Sequence, residues 1–139
     1  MAKKAKRLGL RIEMPEGWEP QPQTPGEPIT LLFKDAAFQI SIRPGAAEGE
    51  GWSGDDLADM TDAMLKPSTS GKRIEKSSGP CDMGTYGMAL YADGEPSYLQ
   101  AWFLSDGTHL MTVTLVDNAS LEEDEIVDVI DTVLGMSLG

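Results

Sequence analysis

Two apolar runs meet at Ser105-Asp106-Gly107-Thr108, and the second leads through Asp117-Asn118-Ala119 into an acid-led amphipathic segment that ends at Gly135. A strand, a tight turn, a strand and a capped helix in so short a span leave few architectures open. Asp-Gly between apolar runs predicts a hairpin because Gly accepts positive φ without steric penalty. Met83 to Ala92 and Ser97 to Leu104 add a second such junction at Asp93-Gly94, so the last third of the chain reads as a meander of three long strands, the third being His109 to Val116. Ser120-Leu121-Glu122-Glu123 reads as a capping box, with Glu122 to Glu125 at the positive end of the helix dipole. Ile126, Val129, Ile130, Val133 and Leu134 form the stripe expected to be buried, and Gly135 is the expected stop.

The earlier part of the chain carries weaker signals of the same kind. Leu8, Leu10, Ile12 and Met14 alternate with Gly9, Arg11 and Glu13, as in a strand with one buried face. Pro15-Glu16-Gly17 turns the chain beneath Trp18, and Glu19 to Pro28, with four prolines, reads as an extended connector. Ile29 to Lys34 and Phe38 to Arg43 are two further predicted strands, and Pro44 to Trp52 a loop. Ser53 is a predicted N-cap with Asp56 at the third position, opening a helix that runs to Lys66 before Pro67. Leu57, Met60 and Met64, aided by Thr61 and Ala63, make its expected buried stripe, with Asp55, Asp59 and Asp62 facing water. A Ser-rich loop, Pro67 to Gly71, then leads to a weak edge strand over Lys72 to Ser77. This order of two or three strands, a helix, four strands and a helix predicts an α+β domain with a mainly antiparallel sheet.

Charge narrows the partners. The 139 residues carry a formal charge of −12, yet residues 1–11 hold Lys3, Lys4, Lys6, Arg7 and Arg11 and no acid. The remainder is therefore more acidic than the total suggests, which disfavours nucleic acid and anionic membrane surfaces. Residues 1–7 are expected to be a flexible basic head and 8–139 a single domain. No apolar run has the length of a membrane span, the start lacks the apolar stretch of a signal peptide, and the lone Cys81 cannot form an internal disulfide. Together these lead to the expectation of a cytoplasmic protein.

The order of elements, with Ile12-Glu13-Met14-Pro15-Glu16-Gly17-Trp18 near the start and the capped helix at the end, resembles the PsbP-like superfamily over residues 8–138. That group includes PsbP, Mog and bacterial relatives such as the DcrB-like proteins and type VI secretion effector chaperones. The resemblance implies an α/β/α sandwich, a six- or seven-stranded, largely antiparallel sheet with helices on both sides, used for binding proteins and without conserved catalytic machinery. Because the first residues match neither the transit segment of photosynthetic members nor the lipobox cysteine of lipoprotein members, a thylakoid or envelope role is not expected.

Few residues offer chemistry. His109 sits beside Asp106 and Thr108, but no Gly-x-Ser-x-Gly elbow accompanies it. Cys81 precedes Asp82, whose charge disfavours a thiolate. Asp55, Asp56 and Asp59 lack the spacing of a calcium loop, and Gly49-Glu50-Gly51 would repel phosphate. No metal or cofactor is expected. Methionine is the remaining signal, because it fills cores and also adaptable binding grooves. Met60, Met64, Met88 and Met111 are the candidate partner-binding residues. The expected function is a non-enzymatic protein-binding or chaperone-like module, a secretion-effector chaperone in its most concrete form. Its partner would be a protein segment with an apolar face and a basic rim. The rival readings are a small hydrolase or isomerase with a site near His109, and a structural homodimer subunit.

Overall fold

The computed structural model describes residues 3–5, 10–22, 28–44, 53–95, 97–106, 109–118 and 120–138. Leu8, positions 23–27 of the Pro-rich connector, the loop 45–52, Gly107 and Thr108 of the last hairpin turn, and Ala119 lie outside them. The strands are β1 (Lys3–Ala5), β2 (Leu10–Met14), β3 (Glu19–Pro20), β4 (Ile29–Phe33) and β5 (Ala36–Pro44), followed by helix α1 (Gly54–Leu65). After a 3-10 turn at Lys66–Ser68 come β6 (Lys72–Cys81), β7 (Gly84–Ala92), β8 (Tyr98–Ser105) and β9 (His109–Asp117), then helix α2 (Glu123–Leu134) and β10 (Ser137–Leu138).

Seven strands form one sheet in the order β3-β4-β5-β9-β8-β7-β6, with every neighbouring pair antiparallel. β1, β2 and β10 form a separate three-stranded sheet, in which Lys3–Ala5 of the basic head pairs with Ile12–Met14. The fold is the expected α+β sandwich with a seven-stranded sheet. The edge strand predicted over Lys72 to Ser77 continues to Cys81, with a bulge between Arg73 and Glu75.

The larger core lies on the α2 side of the sheet. Ile29 and Leu31 of β4, Phe38 and Ile40 of β5, Met111, Val113 and Leu115 of β9, and Trp102 and Leu104 of β8 pack with Val129, Val133 and Met136. Trp18 joins them. Gly17, at φ +103°, drops the indole under the sheet, 5.3 Å from the Phe33 ring and 6.1 Å from Phe38 between centroids. Burying an aromatic or aliphatic side chain of this size contributes roughly 1.5–3 kcal/mol, so this face supplies most of the cohesion. Of the predicted α2 stripe, Val129 and Val133 are fully buried, while Ile126, Ile130 and Leu134 sit at the margin. Met136, beyond the helix, completes it.

On the opposite face α1 lies across β6, β7 and β8. Its start is the predicted one: the Asp56 amide donates to Ser53 Oγ at 3.1 Å and the Ser53 amide to Asp56 Oδ2 at 3.4 Å. Leu57, Ala58, Thr61 and Leu65 face the sheet, whereas Met60 and Met64 are half-buried on one flank and Ala63 is exposed. The helix comes down onto backbone. A Cβ built at Gly87 of β7 would stand 2.0 Å from the Ala58 nitrogen and 2.3 Å from the Leu57 carbonyl carbon. The Thr61 hydroxyl donates to the Leu57 carbonyl at 2.6 Å, with the Gly87 carbonyl 3.2 Å away.

Gly87→Ala should therefore lift α1 and cost roughly 3 kcal/mol or more, beyond the usual overpacking penalty. Gly79→Ala, whose Cβ would meet only the movable Tyr86 ring at 3.3 Å, should cost less than ~1 kcal/mol. Urea melts of both variants check this, and a Gly87→Ala protein as stable as its parent would contradict the seating of the helix.

Candidate functional site

α1 lies across β6 to β8 and reaches β9 at Leu110, so the rest of that sheet face has no helix over it among the described residues. Thr30 and Leu32 of β4, Ala37, Gln39 and Ser41 of β5, and Thr112, Thr114 and Val116 of β9 line it, all half-buried or exposed. They stand in rows across the strands: Leu32 beside Ala37 beside Val116, Thr30 beside Gln39 beside Thr114, and Ser41 beside Thr112. The Gln39 amide donates to Thr30 Oγ1 at 3.4 Å. None of the eight is ionisable, in a chain where charged residues make up 24%. Solvated strand faces usually carry Lys and Glu, while the centre of an interface is depleted of charge.

The wall of this trough is the flank of α1 that bears Met60 and Met64. Both pack against the small cluster of Leu57, Phe103 and Leu110, and Met64 also meets the cluster of Leu65, Ala89, Tyr91, Leu99 and Ala101, which Val116 borders as well. Met88 and Met111 are placed elsewhere, buried on the α2 side among the aromatic core. The four methionines thus occupy opposite faces of the sheet and do not line one surface. The trough floor was not legible in the sequence, since its Thr, Ser, Gln and Ala residues carry no chemical signature. The one available signal was that Thr30, Leu32, Gln39 and Ser41, outward positions of two predicted strands, carry no charge, although Lys34 and Arg43 follow at the ends of the same two alternations.

The groups considered for catalysis are tied into local structure. The His109 amide donates to Asp106 Oδ1 at 2.7 Å, and His109 Nδ1 lies 3.1 Å from Asp106 Oδ2 at the start of β9. Burial pushes the Cys81 thiol up, and the Asp82 charge adds to it. The phenol of Tyr98 is held well above its ordinary range, first by burial and then by the charges of Glu75 and Asp117, and it donates to Gln100 Oε1. Among the described residues no three His, Cys, Asp or Glu side chains come together to hold a metal ion. Among the described residues no helix is long and apolar enough to cross a membrane.

Asp117, at the end of β9, is the best-connected buried acid. It accepts from the Ser120 amide at 3.1 Å, the Ser120 hydroxyl at 2.5 Å and the Leu121 amide at 2.9 Å. Ser120 Oγ in turn accepts from the Asp35 amide at 3.1 Å, and Lys34 pairs with Glu125 at 2.5 Å. The capping box expected at Ser120 and Glu123 is therefore displaced. Asp117 engages Ser120, and the helix opens two residues later, with the Glu122 amide donating to Glu125 Oε1 at 2.9 Å. Gly135 ends the helix as expected, but at φ −92° rather than in the left-handed region.

This arrangement, a seven-stranded antiparallel sheet with one helix on each side, is the PsbP-like fold. Cyanobacterial PsbP from Synechocystis superposes with a TM-score of 0.67 over 100% of this chain and 92% of its own, at 13% identity. A point variant of the protein Mog1 gives 0.62 over 99% and 96%, at 7% identity, and the Saccharomyces cerevisiae Ran-binding protein Mog1p gives 0.55 over 100% and 85%, at 8% identity. No protein-family model and no curated protein sequence matches the chain.

Burial raises the Asp117 pKa, but the hydrogen bonds from Ser120, Leu121 and Asn118 outweigh it and hold the carboxyl below its ordinary value. A lowered folded-state pKa contributes stability that is present above the unfolded value, about pH 4, and lost as pH falls through the folded value. Asp117→Ala should cost roughly 2–3 kcal/mol at neutral pH by leaving buried donors unpaired, and should flatten the loss of stability below pH ~4. Denaturant melts across that range, showing the same acid slope in parent and variant, would contradict this role.

Proposed function

We propose that this protein is a non-enzymatic protein-binding module that receives its partner in the trough between α1 and the open half of the sheet. One observation carries the reading: eight adjacent strand positions, from Thr30 to Val116, that carry no charge and have no described helix over them, in a chain of net charge −12. Met60 and Met64 give the trough an adaptable apolar wall. The partner is a segment with an apolar face and a basic rim, steered by the acidic body and held by burial. The likeness in fold to a Ran-binding protein supports a binding role. In its most concrete form the partner is a secretion effector and the module its cytoplasmic chaperone, a version that co-purification with the products of neighbouring genes would test.

A photo-crosslinking residue placed at Gln39 or Thr114 should capture the partner, whereas one at Val127, exposed on α2, should not. The pair Gln39→Glu and Thr114→Glu should leave the melting temperature within a few degrees and weaken binding at least roughly tenfold. The association rate should fall as salt rises. Equal capture at Gln39 and Val127, or full binding by the doubly charged variant, would exclude the trough.

A further inference from the structure

Six Lys and Arg residues follow position 11, and four of them, Lys66, Lys72, Arg73 and Lys76, belong to one stretch of 11 residues. Three of these line a single cleft of about 570 Å³ together with Asp62, Thr69, Gly71 and Tyr91. It lies beside β6, on the flank of α1 opposite the trough. It is a broad hollow, open to solvent along much of its rim.

The lone acid in the cleft is already satisfied. Asp62 accepts from the Tyr91 hydroxyl at 2.6 Å through Oδ1 and from Arg73 at 3.1 Å through Oδ2. This fixes one edge of the guanidinium and leaves other N–H groups of Arg73 unused. Lys66 and Lys72 form no ion pair among the described residues. The cleft therefore carries two uncompensated positive charges. The long-range field of the acidic body does not cancel them, because at physiological salt it is screened over about 8 Å.

The lining loop is held in place. The Gly71 amide donates to Thr69 Oγ1 at 3.0 Å, which leaves the Thr69 hydroxyl a proton to donate, and outside the cleft the Glu95 amide donates to Ser70 Oγ at 2.9 Å. The backbones of Gly71 and Gly94 touch so closely that a Cβ on Gly94 would stand 2.0 Å from the Gly71 nitrogen. That contact clamps the loop to the β7–β8 hairpin. Lysines on an edge strand commonly serve only to discourage strand pairing, but Lys66 comes from the 3-10 turn and borders the concavity from outside the sheet.

We infer that this cleft binds a compact phosphorylated small molecule through its phosphoryl group, with Lys66 and Lys72 as counter-charges and Arg73 and Thr69 as directional donors. The site is separate from the trough and stands or falls independently of it. Pyrophosphate is the probe, titrated into labelled protein at about 150 mM salt, near the physiological ionic strength. Amide shifts that saturate and are confined to residues 68–73 and 91 are expected. Lys66→Ala and Lys72→Ala should each weaken binding roughly tenfold, while Lys34→Ala should not change it. Shifts that rise without saturating, or that are lost equally in Lys34→Ala, would reduce the site to nonspecific screening and overturn the inference. Saturation of the same amides by an oligoglutamate peptide but not by pyrophosphate would also overturn it. Crosslinking at Gln39 and Thr114 is unaffected by either result.

Discussion

The absence of a side chain at Gly87 decides where α1 can rest. With no Cβ in the way, the helix backbone at Leu57 and Ala58 lies directly on β7, and Thr61 shares its hydroxyl proton environment with the Gly87 carbonyl. A helix held this close covers a narrow strip. It shelters Ala89, Leu99 and Ala101, touches β9 at Leu110, and leaves β5 and β4 without a helix over them among the described residues. The trough lies beside that strip, along β5 and β4. The same seating puts Asp62 within reach of Tyr91 and Arg73 on the other flank, so both candidate surfaces border a helix that one glycine seats.

The α2 side is built differently, by bulk rather than close approach. Trp18, Phe38 and Trp102 fill the space between sheet and helix, and polar contacts pin the two ends of α2. At its start, Asp117 and Ser120 join the end of β9 to the β4–β5 turn, with Lys34 reaching Glu125. At its end, the Asp82 amide caps the Leu134 carbonyl at 3.0 Å. Pinned at both ends over a large apolar core, α2 is the less adaptable layer. This leaves adaptability to the α1 side, where Met60 and Met64 are only half-buried.

What the sequence made legible follows from how local each signal is. Ser53 and Asp56 lie three residues apart and meet as their spacing predicts, and the strands of the meander fall within a residue or two of their expected limits. The start of α2 was misplaced because Ser120, an ideal cap by local rules, is held by Asp117 and by Asp35, which lies 85 positions away. At the β7–β8 hairpin, Asp93 and not Gly94 takes the positive φ, at +62°, because Gly94 is needed for its contact with Gly71. Periodicity could say that Met88 and Met111 face inward but not toward which helix. The open half of the sheet was illegible for the same reason, as no local rule fixes how many strands a helix will cover.

The two edges of the sheet end in ways that limit its growth. β3 is two residues long and contains Pro20, which has no amide hydrogen to offer. β6 is ten residues long but is broken by its bulge at Ile74 and lined by Lys72, Arg73 and Lys76. An extended chain drawn toward β6 finds only the run Glu75–Cys81 unbroken. Pairing of a second chain along this edge is thereby limited to a short run that also carries Lys76 and Pro80, residues that discourage strand addition.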